Sequence, residues 1–326
     1  MEIIMFFSKN KKKLTIGMAT YDDYDGVYFT IQSLRMYHNL DEKDVDYIVI
    51  DNNPSSKHGE ATKSFVQNWV KGKYIPYTEK RSTSTRNLIF ENSESEYTIC
   101  MDPHVMLYKN GISHLINYFE GNISNQKNLV QGPLLYDDLK NTSTHFDPVW
   151  RDSMYGTWAT NKEALEKNEP FDIPMQGLGV FACKTDNWLE FNENFRGFGG
   201  EEGYIHEKFR QNGGRTICLP QFKWIHRFGR PNGVPYPLKL EDRIWNYFIG
   251  WLEIYKDPNH QTIQDIKEHF KEKIGVDKVK EIFEEALKTH YDDYGGSDIL
   301  YKFPEKNSEN TTMKSLIPKI PVVEKL

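Results

Sequence analysis

Three short stretches of this sequence combine side chains that can do chemistry. Asp102-Pro103-His104 follows the apolar run YTICM, and an acid and an imidazole two residues apart in a tight turn can face one metal ion. His226 lies in Trp224-Ile225-His226-Arg227-Phe228, a second imidazole set between apolar neighbours. Glu201 and Glu202 open a helix after Gly197-Phe198-Gly199-Gly200, where the glycines let backbone approach a ligand and leave two carboxylates on an unencumbered loop. Taken alone, each has an ordinary reading. These are turn residues, a satisfied interior histidine, and acids favoured by a helix macrodipole.

The elements that must position these groups follow from periodicity. LTIGMA (14–19), YIVI (47–50) and YTICM (97–101) are apolar runs of the kind that form buried parallel strands, with a shorter one at 74–76. Between them, helical spacing predicts helices over 26–38, 61–70 and 86–91. Strands alternating with helices imply βαβ units and a mostly parallel sheet, whose ligand sits beyond the carboxyl ends of the strands. Polar clusters stand at three such ends: Thr20-Tyr21-Asp22, Asp51-Asn52 and Asp102-Pro103-His104. Residues 136–174 lose periodicity and read as a long loop, with Trp150, Arg151 and Trp158 suited to a lid over a ligand. Order returns at GLGVFAC (177–183), a helix over 203–211 and a strand over 216–219. The Pro/Gly-rich 231–237 stretch reads as a boundary before helices over 240–255 and 262–290, the first of which carries an aromatic packing face. The expected organisation is a catalytic domain over 12–235, a helical extension packed on it over 236–307, and a flexible tail over 308–326.

Composition narrows the partners. Aromatic residues make up 14% of the 326, enough for a core and for rings that pack on sugar faces. With 41 basic and 47 acidic residues the chain carries −6, which argues against non-specific polyanion binding. Cys100, Cys183 and Cys218 each lie in or beside an apolar run, without metal-ligand spacing, and are expected to be buried thiols in a reducing compartment. No run reaches the length of a membrane span, and Ile3 to Phe7 is too short for a signal peptide. A soluble, cytoplasmic protein is expected.

The order of the motifs resembles a known family. Apolar strand, D-x-H, long acceptor loop, G-x-G-G-E helix start and H-R-F together look like the GT-A fold transferases of glycosyltransferase family 2, and are similar to the polypeptide N-acetylgalactosaminyltransferases. The stretches that carry this are STRNLIFENSESEYTICMDPHVML and PMQGLGVFACKTDNWLEFNENFRGFGGEEGYIHEKFRQNGGRTICLPQFKWIHRFGRP, with LTIGMATYDD…YIVIDNNP resembling the family 2 opening. The resemblance covers roughly Leu14 to Pro231. Phe198 stands where many relatives have Trp, Asp51-Asn52 replaces the usual acidic pair, no lectin domain follows, and the C-terminal helices match nothing recognised.

This resemblance implies a GT-A fold: an α/β, Rossmann-like nucleotide-diphospho-sugar transferase with a mixed, mostly parallel sheet flanked by helices and a C-terminal helical extension. It implies a metal-dependent glycosyltransferase that moves a sugar from a UDP-sugar to a hydroxyl acceptor. Asp102, His104 and His226 then form the metal set. With two diphosphate oxygens and a water the ion is six-coordinate, which suits Mn²⁺ first and Mg²⁺ second, rather than Ca²⁺ with its all-oxygen shell. Asp51 would accept from the uracil ring, Thr20 and Tyr21 would flank the base, and Arg86 would face the phosphates. Gly179, Gly200, Trp158 and Asp102 complete the donor site. Glu201 and Glu202 would meet sugar and acceptor. Glu202 occupies the place of the base in inverting relatives, while the histidine-rich metal set matches retaining ones, so both stereochemical outcomes stay open. The acceptor is a glycan, a protein hydroxyl or a hydroxymethylated DNA base, the last without a basic stripe to support it. The competing classes are a nucleotidyltransferase, disfavoured by the acidic ATYDDYDG where a basic triphosphate loop belongs, and a non-catalytic sugar- or nucleotide-binding module.

Overall fold

The computed structural model describes residues 11–38, 40, 43–230 and 233–294; the expected flexible tail over 308–326 lies outside the described residues. In chain order the elements are β1 (Leu14–Thr20), α1 (Tyr24–Tyr37), β2 (Val45–Asp51), α2 (Lys57–Phe65), β3 (Lys73–Pro76), α3 (Asn87–Glu91), β4 (Tyr97–Met101), β5 (Val105–Leu107), α4 (Gly111–Gly121), β6 (Leu129–Gln131), β7 (Leu134–Leu135), β8 (Thr142–Ser143), β9 (His145–Arg151), β10 (Met154–Ala159), α5 (Lys162–Lys167), β11 (Phe171–Asp172), β12 (Val180–Lys184), α6 (Glu201–Gln211), β13 (Thr216–Cys218), β14 (Trp224–His226), α7 (Leu240–Tyr255), α8 (Gln261–Ile274) and α9 (Val276–Tyr294).

Eight strands form the main sheet in the order β11-β13-β6-β12-β4-β1-β2-β3. β1, β2, β3 and β4 are mutually parallel, whereas β12 runs antiparallel to both β4 and β6, so the sheet is mixed. Side-chain alternation sorts the sheet into two faces. Val45, Tyr47 and Val49 of β2 join a cluster with Val27, Ile31 and Leu34 of α1 and Leu115 and Phe119 of α4. Ile48 and Ile50 of β2 and Phe181 and Cys183 of β12 join the opposite cluster, with residues of α6, α7, α8 and α9. Each such side chain, fully buried, contributes about 1.5–3 kcal/mol. The aromatic face anticipated on α7 is inside this second cluster, with Ile244 to Leu252 buried without interruption. All three cysteines are free and buried.

Two expectations needed revision. The aperiodic 136–174 segment is not a structureless loop. It contains β8, α5, β11 and the antiparallel hairpin β9–β10, with a register shift between Tyr155 and Thr157. The alternation in β9 is broken in the sequence by Pro148 and by Val149, an apolar residue at an exposed position. The single helical stretch over 262–290 is two helices, because Gly275 adopts φ +84° and ends α8.

A second, four-stranded sheet, β5-β14-β7-β8, decides the chemistry. β14 pairs antiparallel with β5 in the register Trp224–Leu107, Ile225–Met106, His226–Val105. His226 is thereby laid beside the turn that carries Asp102 and His104.

Candidate active site

The turn between β4 and β5 and the end of β14 bring three ligand atoms together. Oδ2 of Asp102 is 3.4 Å from Nε2 of His226 and 3.9 Å from Nε2 of His104, and the two imidazole nitrogens are 3.2 Å apart. All three lie within 4.8 Å of one another, and this is the one group of three or more potential ligands found among the described residues. One carboxylate oxygen and two imidazole nitrogens fit a first-row divalent cation better than calcium. Burial would raise the Asp102 carboxyl, but the hydrogen bond with His226 and the Arg86 charge work against it, and it is brought down to about 2. The acid therefore stays ionised, as a ligand must. Nδ1 of His226 is buried without a hydrogen-bond partner among the described residues, and Nε2 of His104 accepts from Nη2 of Arg230 at 2.6 Å.

The two glutamates stand at the start of α6 and differ in their partners. Gly200 precedes them with φ +94°, which a side chain would strain. Glu201 is turned inward: Oε1 accepts from the Thr83 hydroxyl at 2.9 Å and lies 3.8 Å from Arg86. Glu202 lines the cavity, and burial together with the neighbouring Glu201 charge pushes it up to about 8, against the pull of Arg243 and Arg86. Arg86 is buried rather than a surface helix charge. It donates to the Leu178 carbonyl at 3.3 Å, and its charge bears on Asp102, Glu201 and Glu202 together.

A cavity of about 470 Å³ joins these groups at the carboxyl ends of β1, β2 and β4. Of the residues expected to hold a donor, Thr20, Tyr21, Arg86, Asp102, Gly179 and Trp158 line it. Thr20 Oγ1 is buried without a hydrogen-bond partner among the described residues, and the Gly179 carbonyl accepts the Asp102 N–H at 2.9 Å. Asp51 is placed behind the wall, its oxygens accepting the Asn53 N–H and the Tyr74 hydroxyl, both at 2.8 Å. Asn52 lines the cavity instead. In the hairpin, Trp158 and Arg151 face the cavity, but Trp150 stacks on His269 of α8 at 4.0 Å and does not line it. Sequence reasoning missed Asn246 of α7. Its amide donates to the carbonyls of Arg196 and Gly199 at 2.7 and 2.8 Å and accepts the Arg196 N–H at 2.7 Å, holding the glycine turn before the glutamates. Only its position within a predicted helix was visible, since the turn it holds lies some fifty residues away in sequence.

Comparison with known proteins bears on the fold. The profile of the glycosyl transferase family 2 matches residues 15–173. No curated protein sequence matches the chain. Among solved structures, GalNAc-T7 with UDP, GalNAc and Mn²⁺ superposes with a TM-score of 0.61 at 15% identity, covering 87% of this chain and 58% of that one. This chain thus spans little more than half the length of that protein. TarS (residues 1–349) of S. aureus, in complex with UDP-GlcNAc, superposes with a TM-score of 0.53 at 12% identity, covering 85% of this chain and 80% of that one. At such identities the likeness is one of fold. The chain thus has a GT-A fold similar to that of GalNAc-T7, and the family 2 profile matches its part from β1 to β11.

Proposed function

We propose that this chain is a metal-dependent glycosyltransferase that moves a sugar from a UDP-sugar to a hydroxyl acceptor. The observation that carries the reading is the convergence of Asp102, His104 and His226 on one cavity that Glu202 and Arg86 also line. The family 2 match supports glycosyl transfer, and the UDP and UDP-GlcNAc in the two solved neighbours support a uridine nucleotide donor. The Mn²⁺ in one of those neighbours and the mixed nitrogen and oxygen donor set support manganese, with magnesium second.

Asp102, His104 and His226 would hold a divalent cation, which when bound would supply Lewis acidity against charge building on a leaving diphosphate. Arg86, fixed by burial, adds a permanent positive charge beside that site. Thr20, Tyr21 and Asn52 border the end of the cavity suited to the nucleoside, with Asp51 bracing the strand end behind them. Trp158 and Gly179 border the sugar, and Gly200 sets the entry angle of α6. Glu202 takes the proton of the acceptor hydroxyl, since it faces the cavity and its raised carboxyl holds a proton well. Glu201 orients Thr83 and Arg86. A base acting on the acceptor from the protein side corresponds to inversion at the anomeric carbon.

The test is UDP release from UDP-GlcNAc and UDP-GalNAc with Mn²⁺ present, followed by labelled-donor transfer to glycan, protein and hydroxymethylated DNA acceptors. Slow Mn²⁺-dependent UDP release is expected, with Asp102→Ala reducing it at least about 10²-fold. Failure of the protein to bind any nucleotide sugar in the presence of metal overturns the proposal.

A further inference from the structure

Asp23 sits where three segments meet. Its Oδ1 accepts the Gly26 N–H at 3.1 Å and so caps α1. Its Oδ2 lies 2.8 Å from Nδ1 of His104. Nη2 of Arg227 donates to both oxygens, at 3.0 and 3.2 Å, and the Arg227 backbone N–H donates to the His104 carbonyl at 3.1 Å. One turn and two turns further along α1, the same face grips the turn that carries Asp102 and His104. A Cβ on Gly26 would stand 2.4 Å from the Pro103 carbonyl oxygen, and the Thr30 hydroxyl lies 3.0 and 2.9 Å from the carbonyls of Pro103 and Val105.

These contacts fix the tautomer of His104. An arginine can only donate, and the shorter of the two contacts from Arg230 is to Nε2, at 2.6 Å. An ionised carboxylate can only accept, and Asp23 faces Nδ1. Both neighbours therefore require hydrogen on Nδ1 and a lone pair on Nε2, the atom that points toward Asp102 and His226.

We propose that Asp23 is the positioning residue of the cation site: it holds His104 in the Nδ1–H tautomer with Nε2 turned to the ion, and through Arg227 it ties the His226 strand to the same anchor. The proposal rests on the reading of Asp102, His104 and His226 as a metal set. Carboxylates that orient a ligating imidazole typically change metal affinity by 10–100-fold.

The experiment uses the full chain in three forms: wild type, Asp23→Ser and Asp23→Asn. Serine still caps α1 but is too short to reach His104, and the asparagine oxygen still accepts from Nδ1 without the charge. Mn²⁺ affinity is measured by calorimetry, and the His104 tautomer by ¹⁵N-edited imidazole NMR of the metal-free protein, with circular dichroism to verify folding. The wild type is expected to bind Mn²⁺ and to show the Nδ1–H tautomer. Asp23→Ser is expected to lose about 10–100-fold in Mn²⁺ affinity and to show mixed tautomers, and Asp23→Asn to recover the tautomer and part of the affinity. A wild type that binds Mn²⁺ beside an Asp23→Ser form with the same affinity and tautomer overturns this inference alone. A wild type that binds no Mn²⁺ overturns the metal reading, and this inference with it.

Discussion

Glu202 concentrates the chemistry that a single residue can contribute. Its carboxyl is raised above the usual range by burial and by Glu201, so the folded state holds a proton that the unfolded chain has already released. Stability contributed by that proton is present below the ordinary glutamate range and is lost as pH rises through about 8. Glu202→Gln removes this dependence. It is expected to melt above wild type at pH 9, by on the order of 3 kcal/mol, with the gap shrinking at pH 5. In the proposed role of base Glu202 would act only when ionised, so kcat/KM is expected to rise with pH through the same region. Glu202→Gln should lose about 10²–10⁴-fold in transfer while Mn²⁺ affinity stays unchanged. A variant that keeps wild-type turnover removes Glu202 from the proton path.

At the scale of elements, the glycine turn at 197–200 and α7 act as one unit. Asn246 is buried and satisfies the N–H and carbonyl of Arg196, which leads into that turn, and the carbonyl of Gly199 within it, so the glutamates depend on a helix about forty residues downstream. Asn246→Ala leaves these groups unpaired. It is expected to destabilise the protein by about 3 kcal/mol and to lower kcat far more than it weakens Mn²⁺ binding, measured by thermal melts and calorimetry. Equal losses in both would show general unfolding rather than a displaced turn. The strands and helices of the first hundred residues were legible because their apolar runs are long for their type and end in polar clusters. The hairpin β9–β10 was not, because one of its faces packs on α7 and α8, partners that no local pattern announces.

The whole molecule has two buried layers on one sheet, and the layer under the C-terminal helices is shared. Tyr204, Phe209 and Phe181 lie in the same cluster as Phe248, Phe270 and Phe283. The division at about residue 235 drawn from the Pro/Gly-rich stretch therefore describes the chain better than the core. A chain ending at Lys239 would expose that layer and release Gly199 from Asn246. It is expected to be recovered as aggregate or as a state that binds hydrophobic dyes, and a monomeric, cooperatively melting fragment would show that the helices are dispensable. Among the described residues no helix is long and apolar enough to cross a membrane.

Local patterns along the chain dictate the alternating strands and helices, the strand ends at which ligand chemistry belongs, and the types of the groups: Asp102, His104, His226 and the glutamate pair. These are local facts, set by hydrophobic period and side-chain chemistry over a few residues. Tertiary structure decided which of them meet. The register of β14 on β5 carries His226 to the Asp102–His104 turn, burial makes Arg86 a fixed charge of the site, and the Tyr74 and Asn53 contacts turn Asp51 away while Asn52 reaches the cavity. It also recruited Asp23 and Asn246, whose partners lie scores of residues away. Contacts at such separations depend on sheet register and helix packing, which are properties of the folded whole and leave no period in the chain.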